Sequence, residues 1–123
     1  MLILIDNKSG APIYDQIFTQ IKGHILSGEL KQDEALPSIR GLAKDLRISV
    51  ITTKRAYEDL EQEGFIHTLP GKGSFVAAQN RELLREQTLK QIEELLERAV
   101  DAARMGGVTP GEVREMLELL HEE

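Results

Sequence analysis

Apolar residues recur along this chain with two different periods, and the alternation between them lays out its elements. Ile13, Ile17, Ile21 and Ile25 stand four apart, with Phe18 and Leu26 widening the stripe, so one face of a helix is apolar. Pro12 lies near the first position of that helix, where its missing N–H costs nothing, and Gly28 stops it. Upstream, residues 2–5 form a short strand or an extended arm. Leu30 to Leu36 reads as a polar connector, and Pro37 marks a turn. Ser38 can cap a short second helix with Ile39, Leu42, Ala43 and Leu46 at helical spacing. Arg47-Ile48 is the turn. Ser49 can cap a third helix running to about Glu63, with Ala56, Tyr57 and Leu60 inward and Gly64 as its stop. The period then changes to that of strands: Phe65 to Leu69, a Pro70-Gly71-Lys72-Gly73 turn, and a return strand over Ser74 to Ala77.

After Ala78 the pattern is helical again. Residues 80 to 104 read as one helix roughly 36 Å long. Leu89, Ile92, Leu96, Ala99 and Ala103 form its stripe, broadened by Leu84, Leu95 and Val100. Gly106-Gly107 breaks it. Thr109-Pro110-Gly111-Glu112 resembles a capping box, and the last helix carries Val113, Met116, Leu117 and Leu120. The apolar faces of this helical hairpin exceed what one hairpin can cover. They need a partner surface, and a second copy of the chain is the simplest one. The expected dimerisation residues are therefore Leu89, Ile92, Leu96, Ala99, Val113, Met116, Leu117 and Leu120.

The predicted fold is mainly α with a small β-hairpin wing. A winged helix-turn-helix over residues 1–78 precedes a C-terminal antiparallel helical hairpin over 79–123. With 123 residues, the chain is long enough for one real core. It has no cysteine, which excludes disulfides and thiolate metal sites and fits an intracellular, cytoplasmic setting. The N-terminus lacks a basic leader and a cleavage site, so no signal peptide is expected, and no stretch is apolar enough for a membrane span.

The formal charge of −6 speaks against a polyanionic partner until its distribution is considered. Residues 1–78 carry nine basic and ten acidic side chains; residues 79–123 carry six and eleven. Between Ser38 and Arg55 stand Arg40, Lys44, Arg47, Lys54 and Arg55 against the single acid Asp45. A phosphate backbone is felt locally, and distant acids are screened, so this basic face suits DNA. A solvated helix face is the plainer alternative for the charge cluster alone.

The spacing from Leu36 through Tyr57 is that of a helix-turn-helix. The first helix of such a pair braces on the DNA backbone while the second enters the major groove. The start of that second helix offers Ser49, Thr52, Thr53, Lys54 and Arg55 to base edges and phosphate. Val50 and Ile51 are apolar at the same place. Either they help the core or they pack on thymine methyl groups. At the hairpin tip, Gly71 and Gly73 allow close backbone approach and Lys72 supplies charge, although Gly-Lys-Gly also serves as a plain turn. Ser38 opens the first helix of the pair, and Tyr14 either reaches a phosphate with its hydroxyl or simply packs.

These motifs together resemble the GntR family of bacterial regulators. The likeness is carried by Pro12-Ile13-Tyr14-Asp15-Gln16-Ile17, Ser27-Gly28-Glu29-Leu30, Leu36-Pro37-Ser38-Ile39-Arg40, Ala56 through Ile66, and Gly71-Lys72-Gly73-Ser74-Phe75-Val76. It covers residues 11–78 almost without gaps. The two-helix tail is similar to that of the YtrA-type branch, in which the C-terminal part serves mainly dimerisation. The resemblance implies a winged-helix repressor that binds a near-palindromic operator in double-stranded DNA as a homodimer. It places DNA contacts on Arg40, Ser49, Val50, Thr52, Lys54, Gly71 and Lys72, with Arg40 as the bidentate guanine reader. It also implies control of transporter operons. Many family members carry arginine where this chain has Val50, so the operator of other branches does not transfer.

Two other function classes fit the sequence less well. One is a winged helix used for protein–protein contact through its acidic tail. The other is a sensor of an unidentified small-molecule effector; the 45 residues after 78 are too few for a separate ligand domain, so the effector would sit in the helical hairpin or the dimer interface. His24, His67 and His121 have no partners at ligand spacing, so no metal or cofactor is expected. The acids Glu58, Asp59, Glu61 and Glu63 look like a solvated helix side, and no serine has a nucleophile context, so no enzyme is expected.

Overall fold

The computed structural model describes residues 1–122. Its elements run α1 (Ile13–Leu26), α2 (Ile39–Leu46), α3 (Val50–Gln62), β1 (Ile66–Leu69), β2 (Gly73–Val76), α4 (Arg81–Gly106) and α5 (Pro110–His121). They fall into two compact units, Met1–Gln79 and Asn80–Glu123.

In the first unit α1 packs on α3, and α3 packs on both α2 and β1. The four-residue isoleucine spacing predicted for α1 is what buries Ile17, Ile21 and Ile25. Leu42 and Ala43 of α2, Ala56, Tyr57 and Leu60 of α3, Phe65 just before the hairpin, and Ile66 and Val76 within it join them in the core. Each fully buried aliphatic side chain contributes about 1.5–3 kcal/mol. Leu26, assigned to the apolar stripe, lies at the surface instead, next to the end of α1.

The caps follow the sequence closely. Ser38 Oγ accepts from the Gly41 amide at 2.9 Å, and Ser49 Oγ accepts from the Thr52 amide at 3.1 Å. Each satisfies a helix-start donor that would otherwise lack a partner. Pro12 stands one residue before α1, and its carbonyl accepts from the Asp15 and Gln16 amides. The phenol of Tyr57 donates to the Pro37 carbonyl at 2.7 Å, which fastens α3 to the turn ahead of α2. Burial pushes this phenol's pKa up, so it remains a donor.

β1 and β2 pair antiparallel, with Ile66 opposite Val76 and Leu69 opposite Gly73. The turn between them is closed by the Lys72 amide donating to the Leu69 carbonyl at 2.9 Å. Gly71 and Gly73 have φ of 77° and 112°, the left-handed region where a side chain is strained. The segment read as a connector does more than connect. The Asp33 and Leu36 amides donate to the Val76 and Ser74 carbonyls, and the Val76 amide donates to the Glu34 carbonyl. Leu30 and Leu36 are buried.

The N-terminal residues form an extended arm along α1. Their partners are side chains spaced one helical turn apart. Gln16 accepts from the Asp6 amide and donates to the Asp6 carbonyl; Gln20 does the same for Leu4; His24 Nε2 meets the Leu2 carbonyl at 2.8 Å. Ile3 turns inward, while Leu2 and Leu4 face solvent.

In the second unit Asn80 caps α4 by accepting from the Leu83 amide. Gly107, at φ 71°, ends the helix in the left-handed conformation. Thr109 and Glu112 form the predicted capping box: the Glu112 amide donates to Thr109 Oγ1 and the Thr109 amide to Glu112 Oε2. α4 and α5 contact each other, yet neither holds a buried residue. At 26 and 12 residues they are about 39 and 18 Å long, so α5 can flank less than half of α4.

Candidate nucleic-acid interface

The surface that could read DNA is built by the caps. α2 ends at Arg47, and Ser49, in an extended conformation, caps the start of α3. The first turn of α3 then presents two bare apolar side chains, Val50 at 47% and Ile51 at 79% exposure. Neither helps the core. Thr52 is half-buried, and its hydroxyl lies 2.7 Å from Ser49 Oγ, so the two hydroxyls share one hydrogen bond at the start of the helix.

Thr53 corrects the sequence reading. It is completely buried, and its hydroxyl donates to the Ser49 carbonyl at 3.1 Å within the same helix. It cannot reach a base edge. The spacing that hides it was present in the sequence: residues 53, 56, 57 and 60 form a single inward stripe.

Lys54 is exposed and pairs loosely with Glu58 at 3.6 Å one turn on. Such a pair between exposed side chains is weak, so the ammonium can exchange Glu58 for a phosphate. Arg40, in the first turn of α2, is exposed, and Ser38 is exposed just before it. Among the described residues no carboxylate lies within ion-pair distance of Arg40, Lys44, Arg47 or Lys72. The wing tip, Gly71-Lys72-Gly73, is exposed throughout.

Tyr14 is half-buried at the start of α1, with the Arg55 guanidinium carbon 3.7 Å from its ring centre. This stack joins α1 to the exposed side of α3 and fixes the direction of a cation that sequence alone left on a generic polar face. Nothing in the one-dimensional pattern pairs residues 14 and 55; only the packing of α1 on α3 does. On β1, His67 stacks on Phe75 with centroids 5.8 Å apart, and its Nε2 lies 3.9 Å from Asp33.

The predicted dimerisation residues lie in the second unit. Leu89, Ile92, Leu96, Ala99, Met116, Leu117 and Leu120 are exposed; Val113 is half-buried within the hairpin. No helix is long and apolar enough to cross a membrane among the described residues.

Comparison with known proteins agrees with this geometry. The family described as "Bacterial regulatory proteins, gntR family" matches residues 13–76, which include α1, the helix-turn-helix and the hairpin. The chain is similar to the transcriptional repressor YtrA of Bacillus subtilis, at 37% identity over 98% of this chain and 88% of that protein. It is similar in structure to a transcriptional antiterminator of Listeria monocytogenes, with a TM-score of 0.73 and 30% identity over 98% of this chain and 90% of that one. A shorter similarity, with a TM-score of 0.53 and 26% identity over 63% of this chain and 94% of the other, is to the AraR DNA-binding domain, solved in complex with an operator. A helix-turn-helix whose second helix has an exposed first turn, a two-stranded hairpin and a two-helix tail thus occurs in a chain that belongs to the gntR family of bacterial regulatory proteins, and it is a DNA-binding transcription regulator.

Proposed function

We propose that this regulator is a repressor that binds a near-palindromic operator as a homodimer, with residues 1–78 reading DNA and residues 79–123 joining the two chains. The observation that carries this reading is the first turn of α3, where Val50 and Ile51 are exposed, in a helix-turn-helix whose other helix carries Arg40, also exposed and without a carboxylate partner among the described residues. Exposed β-branched side chains at a helix start cost solubility unless a partner covers them, and thymine methyl groups in the major groove are a suitable cover. Arg40 reads guanine; Ser38, Ser49, Thr52, Lys54 and Tyr14 hold the backbone; the Gly71-Lys72-Gly73 tip makes the wing contact. The exposed apolar residues of α4 and α5 support self-association, because they recur at helical spacing and α5 is too short to cover α4. The names of relatives support repression: YtrA and NagR of Bacillus subtilis are both called repressors.

Selection of bound sequences from random duplex DNA, followed by footprinting, tests the reading. It predicts a two-fold-related site, two chains per duplex, and affinity that falls steeply with salt. Arg40→Ala and Lys54→Ala each weaken binding to the selected site. Undiminished affinity in both variants, or a salt-insensitive complex, refutes it.

A further inference from the structure

Arg47 ends α2 in the left-handed conformation, with φ 57° and ψ 46°. Residues with a β-carbon adopt it at a steric cost, least for asparagine and aspartate, because the β-carbon crowds the following carbonyl. Nothing in the fold requires arginine there. Its amide donates back to the Ala43 and Lys44 carbonyls, which glycine would do equally well. Its side chain is exposed, and among the described residues no carboxylate pairs with it.

The position does matter for a polyanion. Arg40 and Lys44, at i and i+4, share one side of α2, and Arg47 follows at its C-terminal cap, so three exposed cations fall within about 10 Å of helix rise. The last of them stands two residues before Ser49, which starts α3. The left-handed residue therefore stands in the short turn that leads into the amide-rich start of α3, where fixed positive potential already gathers. Attraction of the guanidinium to the C-terminus of α2 is the competing explanation, and it makes the opposite prediction for stability.

We propose that Arg47 is a phosphate-binding residue of this regulator, kept in a strained backbone conformation because it contacts the operator backbone and not because it stabilises the fold. The proposal rests on the operator reading above. Its test measures thermal unfolding and the slope of log affinity against log salt for the full chain and a selected operator duplex. The wild type is compared with Arg47→Gly, Arg47→Asn and Arg47→Lys. Arg47→Gly is expected to unfold at a higher temperature and yet bind more weakly. Each lost phosphate contact makes the salt slope shallower by about 0.9 and lowers affinity in 0.15 M salt about fivefold, or about 30-fold for the two contacts of a dimer. Arg47→Asn, which tolerates the left-handed turn, shows the same loss, and Arg47→Lys keeps the slope. If binding by the wild type depends on Arg40 but the Gly and Asn variants keep its slope, Arg47 is not a phosphate contact and this proposal alone fails. A lower unfolding temperature for Arg47→Gly overturns it too, in favour of the helix-end role. A wild type that selects no DNA overturns the operator reading and the proposal together.

Discussion

Replacing a thymine by uracil removes one methyl group from the floor of the major groove and leaves every hydrogen-bonding edge unchanged. If the bare first turn of α3 packs on such methyl groups, that single deletion is felt through Val50 and Ile51. A buried methyl is worth about 0.8 kcal/mol, so uracil at the contacted position of one half-site should weaken binding about fourfold, and at both half-sites about 15-fold. The structure supports counting the whole methyl, because Ile51 is 79% and Val50 47% exposed in the unbound chain and both have area left to bury. Fluorescence anisotropy on the selected operator, with uracil placed at each thymine in turn, measures the ratio. A Val50→Ala, Ile51→Ala chain closes the cycle. With the apolar partners gone, the uracil and thymine duplexes should bind within a factor of about two of each other. A double variant that discriminates between the duplexes as strongly as the wild type, or a duplex in which no thymine position shows a loss, rules out methyl packing by Val50 and Ile51.

Four further outcomes are expected. Tyr57→Phe should destabilise the first unit by about 1–3 kcal/mol in urea, because the Pro37 carbonyl loses its donor. The Tyr57 contribution is also pH-dependent: burial raises the phenol's folded pKa, so its contribution is complete below the unfolded pKa of about 10 and is lost as pH rises above it. The wild type should therefore lose more of its urea midpoint between about pH 9 and 11 than Tyr57→Phe does; equal losses would contradict this. Ile92→Glu with Leu96→Glu should turn a two-chain species into a single chain in sedimentation equilibrium without unfolding the first unit, and a variant that remains two-chained removes the tail stripe from the interface. Gln20→Leu should speed hydrogen exchange at the Leu4 amide while leaving the Ile21 and Ile25 amides protected.

Whatever depends on one residue and its immediate neighbours could be read from the chain. Ser38, Ser49 and Thr109 cap the helices they were expected to cap, since a cap needs only a hydroxyl and an amide two or three residues on. The wing, the five helices and the family resemblance follow from the same local signals. Thr53 was misjudged because its chemistry suited DNA while its position belonged to the inward stripe of Ala56, Tyr57 and Leu60. The strand-like pairing of Asp33 to Leu36 was hidden because its partners, Ser74 and Val76, lie about forty residues away and the segment itself is too short for a period to register. The Tyr14–Arg55 stack is of the same kind: two polar side chains that only the crossing of α1 and α3 brings together.

The arm along α1 shows how a helix can act as the neighbour of a strand. Four residues of helix advance about 6.0 Å, and two residues of extended chain about 6.6 Å. Gln16, Gln20 and His24 therefore meet alternate residues of the arm, Asp6, Leu4 and Leu2, as two scales of nearly equal division meet along a vernier. The scales drift apart by about 0.6 Å per rung, so three rungs stay within the tolerance of a hydrogen bond and a much longer ladder would not. The arm's length is thus bounded by arithmetic between two periodicities. Its register is bounded as well: a slip of one residue would break every rung and exchange the buried Ile3 for an outward leucine.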